Sequence, residues 1–514
     1  MNAQDWLSRS VSKLLPPKGR KGKSPPAPVP QAGAAINSVA EASANSGAPG
    51  VERQAEGATS SAVTSVGRST RERLSATLRQ KNEALSPRVL RRTLADLRAV
   101  VDPSISEVEG GRRAAAVAQW YAVASERERR DCWLLMSEQF PIDRTVVTRA
   151  HDAFMAAVGT PDEPNAEARY LGTLVSPRRR LLQRFSAFPD GLRFLIDLRA
   201  EMLPSLKGDK RLQPLDVELE SMFSTWLEVG FLELRRISWD SPASLIEKLI
   251  KYEAVHDIKS WADVKNRLDP DRRCYGFFHP RLPNDPLIFV EVALLRDVAR
   301  GITPLLDEAA AMEDLKAATT AIFYSISNTQ TGLRGVSFGD SLIKRVVETL
   351  KVEFPQLKTF ATLSPIPGFR TWLGKNLARL VEPLDTKLRS ALAHECGLDG
   401  DSPLVTQVLA LSDAALDLPE DSAVRRLLLH AAARYLGHEW LDGKPLDPVA
   451  RFHLGNGARV ERINWAGDPS PKGMRQSCGL MVNYLYDLRR LDQHRAMLAK
   501  GKIPVGRAVT ELSL

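Results

Sequence analysis

The stretch TAIFYSISNTQTGLRGVSFGDSLIKRVVETLKVEF, residues 320–354, changes its period halfway along. Its first ten residues are β-branched, aromatic and small, bounded by turn signals, which is the composition of a strand. Further on, Leu342, Ile343, Val346, Val347, Leu350 and Phe354 fall on one face of a helix. Between the two, Gly332, Gly335 and Gly339 let the backbone turn tightly and approach a ligand closely. A strand, a glycine-containing turn and a helix in that order bring the helix's unpaired N–H groups and the positive end of its dipole to the turn. Such a corner binds phosphate, or it is a structural turn; the glycines alone fit both.

Working outward, DPLIFVEVALL (285–295) and KTFATL (358–363) read as further strands, and RFHLGNGARVERINW (451–465) reads as two short strands around a turn at Asn456 and Gly457. The segment SPIPGF (364–369) places a serine at a corner stiffened by two prolines, where it serves turn chemistry or holds a reactive hydroxyl. From about residue 230 the chain is therefore α/β or α+β. Before it, segments such as RRTLADLRAVV and DGLRFLIDLRAEML carry helical periodicity without a convincing strand, which predicts a helical domain over residues 76–228 and a second domain over 229–514. Residues 1–75, rich in Pro, Gly, Ala and Ser, read as a disordered basic tail whose first fifteen residues could form a short amphipathic helix.

A chain of 514 residues with 43% hydrophobic and 26% charged residues can bury more than one core. The tail carries ten Lys or Arg against five Asp or Glu, more than half of the net +9, so the folded part offers no concentrated basic surface and no nucleic-acid partner is expected. No apolar run reaches transmembrane length, so no membrane partner is expected either. Cys132, Cys274, Cys396 and Cys478 lie far apart, with the spacing of neither a zinc site nor a disulfide framework.

The turn RGVSFGDSLI (334–343) resembles the coenzyme A pyrophosphate loop of GNAT acetyltransferases, Q/R-x-x-G-x-G/A. Arg334 and Gly339 match, and Ser337 stands where the middle glycine falls. Longer stretches, CYGFFHPRLPNDPLIFVEVAL (274–294), residues 321–373, FHLGNGARVERINWAGD (452–468) and SCGLMVNYLYDL (477–488), resemble the malonyl-CoA decarboxylase family. The resemblance implies an α+β multidomain protein: an all-α N-terminal domain that builds a homotetramer, then a GNAT-like mixed α/β catalytic domain. It also implies decarboxylation of malonyl-CoA to acetyl-CoA, with no metal and no organic cofactor, coenzyme A being part of the substrate.

On the same resemblance the catalytic pair falls on Ser364 and His453, and the coenzyme loop on Arg334, Gly335, Val336, Ser337, Phe338, Gly339 and Asp340. Asn456 and Tyr486 lie in matched segments as supporting positions, while His279 and His438 have no such match and default to structural roles. Loss of carbon dioxide leaves an enolate that must be stabilised and protonated, work suited to a serine hydroxyl and a histidine. His453 is assigned as proton donor and Ser364 as its hydrogen-bonding partner; which of them meets the carboxylate is left open. The alternative activity is a GNAT-type acyltransferase using the same loop. The C-terminal TELSL is no peroxisomal address, which leaves a bacterial cytoplasm, or a mitochondrial address in the tail, as the expected location.

Overall fold

The computed structural model describes residues 87–336, 338, 342–397 and 404–512. The tail, Ser337, Gly339 and Asp340 lie outside the described residues. Among the described residues, eight α-helices run from Pro87 to Trp226, and the first strand, β1, spans Glu233–Ile237. Helix starts follow local chemistry. Ser106 caps the helix Glu107–Val123, Ser125 and Glu128 form a reciprocal capping box, and Asp143 caps Arg144–Ala157. Leu181, Leu182, Phe185, Leu195, Leu215 and Leu219 are sealed from solvent where these helices meet, each contributing about 1.5–3 kcal/mol of apolar burial.

The second region is built on one eight-stranded sheet. Its strands after β1 are β2 (Arg272–His279), β3 (Leu282–Leu295), β4 (Thr320–Asn328), β5 (Thr359–Thr362) and β6 (Ser364–Pro365), with β9 (Arg459–Asn464) and β10 (Met481–Leu485) completing it; β7 (Trp440–Leu441) and β8 (Lys444–Pro445) form a separate small hairpin. The spatial order is β1-β2-β3-β4-β5-β10-β6, with β9 added to β10. Every pairing is antiparallel except β4 with β5, which the helix Leu342–Glu353 connects. Such a crossover needs a long connection, and the strand–turn–helix reading of residues 320–354 supplies it. The apolar face read from the sequence is the buried one: Leu342, Ile343, Val346, Val347, Leu350 and Phe354 are all buried.

The parallel pair is short. It runs from Thr320 opposite Thr359 to Phe323 opposite Thr362. Beyond that point β4 continues to Asn328, while the segment after β5 passes through Leu363 into β6 and keeps β10 alone as its strand neighbour. The two strands part, and the far half of β4 has no strand partner on that side among the described residues.

One expectation is corrected. Residues 451–465 are not two strands: the helix Pro448–Gly455 occupies the first half and β9 the second. The start signal lies upstream of that stretch, where the Asp447 carboxylate accepts from the Val449 and Ala450 N–H groups and Pro448 fills the first helical position. The turn itself is where the sequence puts it. Gly457 has φ +85°, and a Cβ there would sit 2.8 Å from the Leu491 carbonyl oxygen. No helix among the described residues is long and apolar enough to cross a membrane.

Because the buried Asp447 side chain starts the helix that carries His453, Asp447→Ala should cost about 1–2 kcal/mol of stability. A thermal melt should show the lower Tm, and the variant's turnover should fall with it.

Candidate active site

Where β4 and β5 part, a cavity of about 550 Å³ opens. Phe323, Ile326 and Asn328 of β4 form one wall; Val336, Phe338 and Leu342, from the turn and the helix after it, form another; Ser364 and His453 line it from β6 and from the helix Pro448–Gly455. Among the described lining residues, Arg451 is the one Lys, Arg, Asp or Glu.

Ser364 and His453 stand 89 residues apart in sequence, with Ser364 Oγ 3.3 Å from His453 Nε2. Both are buried. The Ser364 hydroxyl donates to Thr362 Oγ1 at 2.8 Å, which leaves its oxygen to accept from Nε2–H. On the other side of the ring, the Tyr486 hydroxyl is 2.7 Å from Nδ1, and burial keeps that phenol protonated, so it donates. The network thus assigns the proton of the neutral imidazole to Nε2. Tyr484 stacks on the ring, with centroids 4.7 Å apart.

Three strands hold this arrangement. β10 pairs with β6 at Val482 opposite Ser364 and with β5 at Leu485 opposite Ala361. Thr362 Oγ1 accepts the Tyr484 N–H at 3.1 Å, and the Asn483 amide donates to the Thr362 carbonyl at 2.7 Å. Thr362 and Tyr484 were not singled out from the sequence. An alternating strand pattern marks both as interior without saying that one meets a hydroxyl and the other a ring.

The other predicted positions divide. Tyr486 joins the pair directly. Asn456 is buried one turn beyond His453 and donates to the Phe452 carbonyl, closing its own helix rather than touching the pair. Of the predicted coenzyme loop, Val336 and Phe338 line the same cavity as Ser364 and His453, Gly335 takes φ +85°, and Arg334 is exposed. His279 and His438 are not among the residues lining this cavity.

Burial holds His453 well below the ordinary histidine value of 6.5, at about 3, with no neighbouring charge to offset it. A histidine chosen for proton transfer is thus held in its neutral form by its surroundings.

A helical region, then a mixed sheet whose one parallel pair splays beside a strand–turn–helix passage, is the architecture of an α+β enzyme with a GNAT-like catalytic part. A family model described as the malonyl-CoA decarboxylase C-terminal domain matches residues 230–513, and one described as the malonyl-CoA decarboxylase N-terminal domain matches residues 140–227. The chain belongs to the malonyl-CoA decarboxylase family. It is 39% identical over 334 residues to the mitochondrial malonyl-CoA decarboxylase of Anser anser anser, covering 63% of this chain and 66% of that one. The chain thus spans about two thirds of that relative's length. The crystal structure of malonyl-CoA decarboxylase from Cupriavidus metallidurans superposes with a TM-score of 0.67 at 43% identity, over 83% of this chain and 100% of that one. That from Rhodopseudomonas palustris gives 0.69 at 40% identity, over 82% and 99%.

The depressed value for His453 has a sign. The unfolded chain takes up this proton first, so the stability that neutral burial preserves is intact above pH 6.5 and drains as pH falls towards about 3. Replacing His453 by Asn should remove one proton from that dependence, flattening the slope of unfolding free energy against pH by up to about 1.4 kcal/mol per unit within the window. Denaturation of both proteins between about pH 7 and pH 5 reads it; parallel slopes would show that His453 is not buried neutral.

Proposed function

We propose that this chain converts malonyl-CoA to acetyl-CoA and carbon dioxide, with His453 delivering a proton to the enolate carbon and Ser364 as its hydrogen-bonding partner. The observation that carries the proposal is the contact of Ser364 Oγ with His453 Nε2 inside a cavity that Val336 and Phe338 also line.

The chemistry then closes on itself. A malonyl carboxylate drawn into this apolar cavity loses its hydration, and its charge supports a proton on His453 that burial alone disfavours. The bond between the carboxylate and the α-carbon breaks, its electron pair enters the thioester enolate, and carbon dioxide leaves uncharged. His453 gives its proton to the α-carbon and returns to the neutral form that its surroundings favour. Tyr486 accepts from Nδ1–H in the charged state and donates to Nδ1 in the neutral one, so the ring keeps its orientation through the cycle. The step balances with one proton from solvent, and no metal or organic cofactor enters it.

Release of carbon dioxide from malonyl-CoA by the purified chain with no acyl acceptor present tests the reaction; release only on adding an amine would favour the acyltransferase. His453→Asn should lower kcat by about 100- to 10,000-fold with coenzyme A affinity nearly retained. Ser364→Ala should also lower kcat, and the double variant should be little worse than the poorer single one. A folded His453→Asn enzyme with full turnover would contradict the assignment.

The helical region is proposed to assemble a homotetramer. In support, the helix Arg144–Ala157 buries none of its residues, and Val146, Met155, Leu171 and Val175 are 45%, 56%, 53% and 53% exposed. Light scattering should give a mass well above the monomer's 56.8 kDa, and Met155→Glu with Leu171→Glu should lower it. A monomeric parent protein would contradict the assembly.

A further inference from the structure

We infer that Arg199, on the helix Gly191–Met202, is a positioning residue for the coenzyme, and that the helical region holds the Gly332–Val336 turn in its working shape. The inference rests on the proposed malonyl-CoA reading and on the resemblance of this turn to the coenzyme A pyrophosphate loop.

Arg199 is among the largest fully buried side chains, 1% exposed, and its guanidinium is shared between two parts of the molecule. Nη1 donates to the carbonyls of Gly332 and Arg334, both at 2.8 Å. Nε donates to Asp216 at 2.8 Å, and Nη2 lies 3.5 Å from Glu220, both on the helix Gln213–Trp226. One planar cation therefore fixes two carbonyls of the turn, two residues apart, against two carboxylates of the helical region. A planar guanidinium whose N–H groups point in fixed directions constrains direction as well as distance.

Around it the fit is close. The helix Gly191–Met202 presses on the turn so tightly that a Cβ on Gly332 would lie 1.9 Å from the Ile196 carbonyl oxygen. Gly335, at φ +85°, passes the Glu220 carboxylate, 3.7 Å from where its Cβ would be. Arg193 donates to Gln330 Oε1 just ahead of the turn, and the Val229 N–H donates to the Phe338 carbonyl just after it. A turn that needs positive φ at one residue and admits no side chain at another has few conformations of its own that meet both demands. Its carbonyls are tied back to the helical region, while Val336 and Phe338, at and just beyond its end, line the cavity.

The test separates coenzyme positioning from chemistry and from folding. Arg199→Met leaves two carboxylates without their cation, so the double variant Arg199→Met/Asp216→Leu, which removes the charge pair and keeps its bulk, is made beside it, with Arg199→Lys as the conservative form. Each is assayed on malonyl-CoA and on malonyl-N-acetylcysteamine, a thioester with no pyrophosphate. The ratio of kcat/KM for the two substrates should fall by about tenfold to a hundredfold, chiefly through KM for malonyl-CoA, with Arg199→Lys recovering little of it. A structural role alone would lower both substrates together and leave the ratio where it was. Gly335→Val distorts the turn directly and serves as the control. If its ratio falls while that of the folded Arg199 variants does not, the role of Arg199 is overturned and the coenzyme turn stands. If neither ratio moves, the assignment of the turn is overturned, and that of Arg199 with it.

Discussion

The site depends on β4 and β5 ceasing to pair. Four residues of parallel register bring Phe323 opposite Thr362. A fifth would have closed the ladder and filled the space where the cavity lies. Instead the chain leaves β5 through Leu363 and commits its next two residues to β10, so the wedge is held open from both sides by hydrogen-bonded strands. The stiffness of Pro365 and Pro367 suits that corner, because the chain must leave β4 at Ser364 while staying paired with β10. The cavity, the Ser364–His453 contact and the access of Val336 and Phe338 to the same space all follow from that divergence.

Within the wedge, the electrostatics come from what is absent near His453. Its ring is flanked by a hydroxyl, a phenol and a tyrosine face, all uncharged. That setting suits a reaction that begins with a charged carboxylate and ends with neutral carbon dioxide, since an environment that solvates charge poorly favours the step that disperses it. The buried ion pairs lie elsewhere. Arg267 bonds Asp263 and Glu291, and Arg199 bonds Asp216 beside the Gly332–Val336 turn. Among the described residues lining the cavity, Arg451 is the one Lys, Arg, Asp or Glu.

Much of this was legible in the sequence, for identifiable reasons. Strands buried on both faces give nearly continuous apolar runs, so β3 and β4 announce themselves. The Leu342–Glu353 helix shows its face by spacing, and Gly457 marks its turn because that backbone admits only a residue without a side chain. The His453 helix was missed because Phe452, His453 and Leu454 form a short apolar run that fits either period, and the deciding signal, Asp447 before Pro448, lies upstream. Thr362 and Arg199 were beyond reach of any local pattern. Arg199 reads as one arginine on a helix, and its partners Gly332 and Arg334 lie more than 130 residues away. The low proton affinity of His453 was likewise hidden, because burial is a property of the packed molecule and not of the residue.

The central claim is that the acyl group meets Ser364 and His453 in the wedge between β4 and β6. A crystal structure with a malonyl-CoA analogue whose carboxylate is replaced by a group that cannot leave, such as a sulfonate, tests it most directly. The account predicts the acyl end within hydrogen-bonding distance of His453 Nε2 or Ser364 Oγ, the chain of the coenzyme passing Val336 and Phe338, and its pyrophosphate at the Gly335 turn. An analogue bound with its acyl end outside this cavity, or with Ser364 and His453 untouched, would contradict it.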